Sequence, residues 1–341
     1  MAKVTVFGEI LLRLSTKESK LFNQSTDFQV DFGGSEANIA VSLSQMGVPA
    51  NIASVLPDHE ISNHALSVFK SYGTDVNDVR KLDSGRLGLY FLEQGAALRG
   101  SKVIYDREGS CFSKVKASDF DWDSIFDDCE WFHTSGISPA VSQSAATACI
   151  EAVSIAKSKG LKVSIDMNYR KNLWKYGKSP ADVMPDIIKN TDVVLGDPAT
   201  MNHMLGTQLA TRDFYADAHE LLDSYKQLQD NYPNLQYAAM TLRTVKSANH
   251  NIISGAIYHQ GKMYGANPFN VSPIVERIGG GDAFMAGLIY GLQSKKDLDY
   301  VINYATTASA LKMTISGDFN SFSKEEIERY MHAEQLGMIK R

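Results

Sequence analysis

The chain has 341 residues, of which 44% are hydrophobic and 21% charged, a globular composition that excludes disordered, collagen-like and coiled-coil proteins. Its 34 lysines and arginines against 39 aspartates and glutamates leave a net charge of −5. A broad phosphate-backbone-binding surface needs clustered positive charge, so no nucleic-acid partner is expected.

Short β-rich runs alternate with segments of helical periodicity along most of the chain. Gly47 and Gly73 follow the first two predicted helices, as expected of the residue that best adopts the left-handed conformation at a helix end. The predicted strands span residues 4–7, 51–55, 130–134, 161–166, 192–195 and 237–242. The predicted helices span residues 35–46, 59–72, 142–158, 180–190, 212–229, 282–292, 297–313 and 324–335. Because parallel strands need crossover helices, this order predicts an α/β fold with a doubly wound, mainly parallel sheet, in a single domain over residues 1–341.

One stretch departs from this alternation. Residues 87–92 and 102–105 are both β-like and surround a turn that contains Gly95 and Gly100, with no helix between them. This pattern predicts an inserted antiparallel hairpin. Such a hairpin is either a simple sheet edge or a flap that covers a site.

The sharpest chemical signal is the run Gly279-Gly280-Gly281-Asp282, which begins an apolar segment of helical periodicity. Glycines allow successive backbone N–H groups to converge, and a helix N-terminus carries about half a positive charge. Such a site suits a phosphate or a developing oxyanion, and Asp282 beside it is placed to accept a proton from a hydroxyl. A structural role, in which Asp282 caps the helix and the glycines make a turn, fits the pattern equally well.

A second glycine pair, Gly33-Gly34, also leads into a predicted helix, with Asn38 in its first turns. An asparagine at a half-buried helical position needs a hydrogen-bond partner. That partner is either a ligand hydroxyl or nearby backbone, and this segment alone favours neither.

Two tyrosines and two arginines are candidates for binding an acidic ligand. Tyr90, Tyr105 and Arg107 lie on the predicted hairpin, and Arg170 closely follows the predicted strand that ends at Asp166. The carboxyl ends of parallel strands are where open α/β sheets bind ligands, and arginine presents a bidentate fork that suits a carboxylate. For any one of these residues, a packed tyrosine or a solvated arginine is the alternative.

Other common site patterns are absent from the sequence. No G-x-G-x-x-G follows the first strand, and neither G-x-x-x-x-G-K-[ST] nor G-x-S-x-G occurs, which disfavours a nicotinamide dehydrogenase, a P-loop enzyme and a hydrolase. The three cysteines and eight histidines show no ligand spacing, so no structural metal is predicted. Charges interrupt the N-terminal apolar run, and residues 283–294, the longest uncharged apolar stretch, fall short of the ~20 residues of a membrane span. A cytoplasmic protein without a membrane partner is therefore expected.

The order of these motifs resembles the ribokinase/PfkB family of carbohydrate kinases along essentially the whole chain. Residues 33–40 are similar to its N-terminal signature and residues 279–282 to its C-terminal Gly-x-Gly-Asp signature. The resemblance implies a ribokinase-like core with a small β-lid built from about residues 9–32 and 85–113, and a homodimer formed through that lid. It implies that Asp282 is the base that deprotonates a sugar hydroxyl and that the amides of Gly279, Gly280 and Gly281 stabilise the transferring phosphoryl group, with Mg²⁺ bridging the phosphates of ATP.

Within that family, residues 88–93, 99–110, 166–170 and 317–320 are similar to those of kinases that act on 2-keto-3-deoxygluconate. The implied activity is ATP-dependent phosphorylation of this sugar acid at its terminal hydroxyl. The implied acceptor-binding residues are Gly33, Gly34, Asn38, Tyr90, Tyr105, Arg107, Arg170 and Asp318. The implied nucleotide-binding residues are Asn168, Thr241, Arg243, Gly279 and Gly281.

Three departures from the family pattern keep alternatives open. The pair before the glycines is Glu276-Arg277 rather than Asp-Thr, residues 197–200 lack the glutamate of the usual Asn-x-x-Glu, and residues 241–247 lack the usual nucleotide-strand glycines. The alternatives are another PfkB kinase, for fructose or a nucleoside, and a non-catalytic regulatory protein that binds a sugar acid. The sequence does not separate gluconate-derived from galactonate-derived keto acids.

Overall fold

Runs rich in valine, isoleucine and phenylalanine form the strands of two sheets in the computed structural model, which describes residues 1–212 and 217–332. The strands are β1 (Lys3–Phe7), β2 (Leu11–Ser15), β3 (Gln29–Gly33), β4 (Ala50–Pro57), β5 (Val79–Leu82), β6 (Gly88–Glu93), β7 (Lys102–Asp106), β8 (Cys129–Ser135), β9 (Lys162–Asp166), β10 (Val193–Leu195), β11 (Tyr237–Ser247), β12 (His250–His259), β13 (Lys262–Gly265) and β14 (Phe269–Val271). The α-helices are α1 (Ser35–Gln45), α2 (Glu60–Ser71), α3 (Trp122–Ile125), α4 (Gln143–Ser158), α5 (Met184–Ile188), α6 (Pro198–Leu205), α7 (Leu222–Asn231), α8 (Gly280–Gln293), α9 (Leu298–Lys312) and α10 (Lys324–Met331).

The larger sheet has the strand order β13-β12-β11-β10-β9-β8-β1-β4-β5, and β14 pairs with β12. All pairings from β11 through β5 are parallel, whereas β12 pairs antiparallel with β11, β13 and β14. Helices α3 to α7 bury one hydrophobic core against one face, and α1, α2, α8, α9 and α10 bury a second core against the other. The predicted doubly wound, mainly parallel sheet is confirmed.

The smaller sheet has the order β3-β2-β6-β7 and lies over the carboxyl ends of the larger one. β6 and β7 pair antiparallel, as the lack of a helix between them predicts. The pairing register places Arg13, Tyr90 and Tyr105 on the face toward the larger sheet, and places Phe91 and Ile104 on the opposite face. We refer to this four-stranded sheet as the lid.

Several predicted boundaries differ from the structure for identifiable reasons. The helix predicted over residues 180–190 is broken into a 3₁₀ turn, Pro180–Asp182, followed by α5, because Pro185 lacks the N–H that a continuous helix would bond to the preceding turn. The helix predicted over residues 212–229 is wrong at its start: residues 213–216 lie outside the described residues, a 3₁₀ turn covers Ala218–Leu221, and α7 follows. The strand predicted to end at residue 242 continues to Ser247, since it pairs with β12, which the sequence did not predict. Helix α10 is described to Met331, and residues 333–335 of its prediction lie outside the described residues.

No helix in the described ranges is long and apolar enough to cross a bilayer.

Candidate active site

The carboxyl ends of β1 and β9, the N-termini of α1 and α8, and the lid enclose a cavity of about 270 Å³. Strand order reverses between β1 and β8, and open α/β sheets bind ligands at such a switch point. The cavity wall includes these predicted site residues: Gly34, Asn38, Tyr90, Tyr105, Arg107, Asn168, Arg170, Arg243, Gly279, Gly281, Asp282 and Asp318. Gly33 and Gly280 are not part of this wall, and Thr241 lines a neighbouring cavity.

The start of α8 requires glycine. Gly279 is the N-cap with φ = 81°, in the left-handed region, and an added Cβ there would lie 1.9 Å from the carbonyl oxygen of Asp318. An added Cβ at Gly281 would meet nothing within 4 Å, because this residue faces open space. The Gly280 N–H donates to the carbonyl oxygen of Arg277 at 3.3 Å. The amides of Gly279 and Gly281, which line the cavity, are the ones available to an anion.

Asp282 lies in the first turn of α8 and is only 9% exposed. Its Oδ1 accepts a hydrogen bond from Ser35 Oγ at 2.8 Å, and its Oδ2 accepts one from Asn38 Nδ2 at 2.7 Å. Burial raises the pKa of Asp282 to about 6, although these two hydrogen bonds act in the opposite direction. A carboxylate whose pKa lies close below neutral pH suits proton acceptance.

Two residues of α1 and one from the loop after β9 orient this carboxylate. Asn168, held at φ = 35°, donates from Nδ2 to Ser35 Oγ at 3.0 Å, and Ser35 donates in turn to Asp282. Asn38 Oδ1 is buried and has no hydrogen-bond partner among the described residues. The sequence predicted Asn38 and Asn168 but not the role of Ser35.

A second buried carboxylate, Asp166, ends β9 and lines the same cavity. Its Oδ1 accepts from the backbone N–H of Asn168 at 3.0 Å. Burial, and next the negative charge of Asp282, raise its pKa to about 7, whereas Arg170 lowers it. Two carboxylates are thus close enough to interact, and the sequence did not predict this pair.

Arg107 is buried and paired, which changes the role expected of it. Its Nη2 and Nε lie 2.5 and 2.7 Å from Glu9 Oε2. Glu9 Oε1 has no hydrogen-bond partner among the described residues. The pair is electrically neutral, so it adds no net positive charge to the cavity wall.

Arg170 differs from Arg107 because its side chain is exposed. Its recorded hydrogen bond runs from Nη1 to the backbone carbonyl of Tyr169 at 3.1 Å. It lines both the first cavity and a neighbouring cavity of about 570 Å³. Arg170 is therefore placed to attract an anion in either space.

The lid is fastened to the core by a buried ion cluster. Arg13 is 1% exposed and pairs with Asp318, and with Glu276 at 2.9 Å. Tyr90 Oη donates to Asp318 Oδ2 at 2.6 Å, and an added Cβ at Gly33 would lie 2.2 Å from the same oxygen. Both oxygens of Asp318 are therefore occupied within the protein, so its first role is structural. The sequence did not predict Arg13.

The neighbouring cavity extends along β11 from Gly281 past Thr241 and Arg243. Arg277, next to Glu276, donates from Nη2 to Asn251 Oδ1 at 2.9 Å and lines the first cavity. Burial, and next the positive charge of Arg243, lower the pKa of Arg277. Cationic side chains thus flank the α8 N-terminus where the two cavities meet.

The segment that lacks the expected glutamate begins α6. Asp197 is the N-cap of this helix and accepts from the Thr200 backbone N–H at 2.7 Å and from its hydroxyl at 3.1 Å. Asp197 also lines the neighbouring cavity. The position therefore keeps one carboxylate facing the space next to Gly281.

Comparisons with known proteins agree with this geometry. The model of the pfkB family of carbohydrate kinases matches residues 1–325. A 2-dehydro-3-deoxygalactonokinase from Haloferax volcanii is 27% identical over 99% of this chain and 99% of its own length. The crystal structure of a 2-dehydro-3-deoxygluconokinase from Thermotoga maritima is 35% identical, with a TM-score of 0.92 over 98% of this chain and 100% of that chain. A fructokinase from Xylella fastidiosa with bound ATP has a TM-score of 0.77 at 19% identity, covering 96% of this chain and 98% of that chain, and shares the fold.

Proposed function

This chain belongs to the pfkB family of carbohydrate kinases, and we propose that its acceptor is a 2-keto-3-deoxy sugar acid. The principal acceptor is 2-keto-3-deoxygluconate, also called 2-dehydro-3-deoxygluconate, and the phosphoryl group of ATP goes to its terminal hydroxyl. The observation that carries the proposal is an exposed Arg170 on the wall of the same cavity that holds the buried carboxylate of Asp282. The substrate names of two relatives along nearly the full chain support it.

Asp282 is the general base. The hydroxyl oxygen of the acceptor attacks the γ-phosphorus of ATP, its proton passes to Asp282, and the bond from that phosphorus to the bridging oxygen breaks to leave ADP. Ser35 and Asn38 hold the carboxylate in place through one hydrogen bond on each oxygen. The amides of Gly279 and Gly281 stabilise the charge on the transferring group, because a helix N-terminus is positive and its donors need no reorganisation.

Arg170 holds the carboxylate of the acceptor, since it is exposed on the cavity wall and its hydrogen bond goes to a backbone carbonyl. Arg243 is also exposed on this wall, but it lies on β11, along the neighbouring cavity. The neutral pair of Arg107 and Glu9 faces the uncharged part of the sugar, and the guanidinium donates to its oxygen atoms. Tyr90 and Tyr105 close the lid side of the cavity. This division of roles favours an acid over a neutral sugar.

ATP occupies the neighbouring cavity, with its phosphates toward Gly281, Arg243 and Arg277 and its length along Thr241 on β11. The described residues include no group of three or more side chains that could hold a metal ion by themselves. This agrees with Mg²⁺, which binds through one or two carboxylates together with phosphates. Asp166, whose Oδ2 has no hydrogen-bond partner among the described residues, fits that requirement, and the bound ion would neutralise phosphate charge.

A homodimer forms through the outer face of the lid. Leu14 and Phe91 on this face are half-buried, and Val30 and Ile104 are each 54% exposed. Leu14 pairs with Val30, and Phe91 pairs with Ile104, so the four side chains make one continuous apolar patch. A second copy of the chain would cover it. Ile104→Asp is expected to shift the protein from dimer to monomer in size-exclusion chromatography with light scattering, and a wild-type monomer would contradict this assignment.

The substrate is tested by ADP release with Mg-ATP and a panel containing 2-keto-3-deoxygluconate, fructose and a nucleoside. The keto acid is expected to give the highest kcat/KM, and ³¹P NMR is expected to place the phosphate on its terminal carbon. Preference for a neutral acceptor would refute the proposal. Calorimetric binding of the keto acid without turnover would instead support a regulatory protein.

A further inference from the structure

A lysine lies directly behind the glycines at the start of α8, although it lines neither cavity. Lys312 ends α9, and its side chain is 0% exposed. Its Nζ donates to the carbonyl oxygen of Ile315 at 3.4 Å, and no carboxylate of the described residues lies within 4.0 Å of it. Because an added Cβ at Gly279 would lie 3.2 Å from Lys312 Cε, the lysine stem passes close behind the backbone that begins α8.

Lys312 belongs to the buried ion cluster that fastens the lid. The cluster contains three acidic groups, Asp31, Glu276 and Asp318, and two basic groups, Arg13 and Lys312. The protonated lysine therefore offsets one of its negative charges. Asp282 from α8 also acts on the lysine. Burial, and to a smaller extent Arg13, lower the pKa of Lys312 to about 8, whereas Glu276, Asp318 and Asp282 raise it. The lysine is therefore protonated at neutral pH, and loses its proton in mildly alkaline solution.

Burying an ammonium group without a contacting carboxylate is costly, and a hydrophobic side chain of the same length would avoid that cost. The position of this charge suggests which favourable effect offsets the cost of burying it. Without Lys312 the cluster would carry one more net negative charge, and that charge would lie behind the amides that receive the transferring phosphoryl group. Electrostatic interactions are strong in a buried site of low polarity, so such a charge would oppose the negative charge of the reaction.

On the basis of the phosphoryl transfer proposed above, we propose that the Lys312 ammonium is a positioning group for this reaction. It holds the segment from Lys312 to Asp318 against Gly279, and it keeps the potential at the α8 N-terminus positive. It touches neither acceptor nor nucleotide, so it acts through the backbone amides of the glycines.

The test compares Lys312→Met, Lys312→Arg and a matched control, Lys157→Met. At position 312, methionine keeps the length of the side chain and removes its charge, whereas arginine keeps the charge at all accessible pH values. Lys157 is the control because it pairs with Asp192 at the amino-terminal end of β10, far from the cavity. Lys312→Met is expected to lower kcat at pH 7 at least about tenfold, with the KM of the acceptor changed by less than about threefold. Lys157→Met is expected to leave kcat unchanged.

The pH profile separates this role from a structural one. In the wild type, kcat is expected to fall as pH rises through about 8, because deprotonation of Lys312 removes the charge. Lys312→Arg is expected to retain most of the activity and to lose this alkaline decline. An unchanged kcat in Lys312→Met, an alkaline decline that persists in that variant, or inactivity of both variants with lowered melting temperatures would overturn the inference. A wild-type protein that phosphorylates no acceptor of the panel would refute the proposed function instead.

Discussion

Replacing Asp282 by asparagine separates catalysis from stability, because the two are expected to change in opposite directions. Asparagine has the shape of aspartate and keeps the hydrogen bonds: its oxygen accepts from Asn38, and its new amide group donates to Ser35, whose hydroxyl oxygen can accept. It cannot accept a proton from the acceptor. Loss of a positioned base costs about 10²- to 10⁴-fold, so kcat is expected to fall at least about 100-fold while the KM of the acceptor changes little.

The stability change follows from the pKa of the buried carboxyl. Its rise from 3.8 to about 6 corresponds to about 3 kcal/mol of unfavourable ionisation in the folded state at pH 7. Because the pKa is raised on folding, the stabilisation by the protonated form is complete below pH about 4 and is lost as pH rises through about 6. Asparagine never ionises, so Asp282→Asn is expected to unfold with a free energy about 1–3 kcal/mol higher than the wild type at pH 7, and the difference should narrow toward pH 5.

Urea unfolding at pH 7 and pH 5 and coupled ADP release measure the two effects. Asp192→Asn is the matched control: it also removes a buried carboxylate, but one paired with Lys157 at 2.8 Å and remote from the cavity. That variant is expected to lose stability and to keep its kcat. Asp282→Asn with kcat within tenfold of the wild type, or with a free energy of unfolding lower by more than about 2 kcal/mol, would refute the reasoning.

Three further predictions concern the arginines and the acid limb of the pH profile. Arg170→Ala is expected to raise the KM of the keto acid at least about tenfold with little change in kcat, and an unchanged KM in the ADP-release assay would remove Arg170 from the site. Arg13→Ala leaves Glu276 and Asp318 buried with less compensating charge, so urea unfolding is expected to show a free energy of unfolding lower by about 3–5 kcal/mol. A decrease below about 1 kcal/mol would contradict the role of the cluster. Since the base must be ionised, kcat at saturating Mg-ATP is expected to fall as pH drops below about 6 to 7, the range of the pKa values of the interacting Asp282 and Asp166 carboxyls. A kcat that stays constant down to pH 5 would contradict the assignment of Asp282.

Much of the fold could be predicted because its signals are local. Glycines after α1 and α2 mark real helix ends, and hydrophobic runs mark the parallel strands because those strands are buried on both faces. The errors arise where tertiary pairing overrides local pattern. The polar end of β11, from Arg243 to Ser247, does not resemble a strand, yet its backbone pairs with β12.

The candidate site likewise contains residues that a local sequence pattern reveals and residues that only tertiary contacts reveal. The glycines and Asp282 are predictable because a helix N-terminus and its anion chemistry lie in four consecutive residues. Arg13 could not be predicted, since its partner Asp318 is 305 residues away and nothing near Arg13 in the chain indicates a buried ion pair. Glu9 and Arg107, 98 residues apart, are a similar case: the arginine was predicted as a binder of the acid, and only the folded chain reveals the carboxylate that neutralises it.

The most direct test of the account is the ratio of kcat/KM values for 2-keto-3-deoxygluconate, its galactonate-derived epimer and fructose, measured side by side with Mg-ATP. If Arg170 binds the carboxylate of the acceptor while Asp282 removes its proton, both keto acids should exceed fructose by at least about 100-fold, about 3 kcal/mol of discrimination. The gluconate-derived acid should be preferred of the two. A value for fructose equal to or above those of the keto acids would contradict the account.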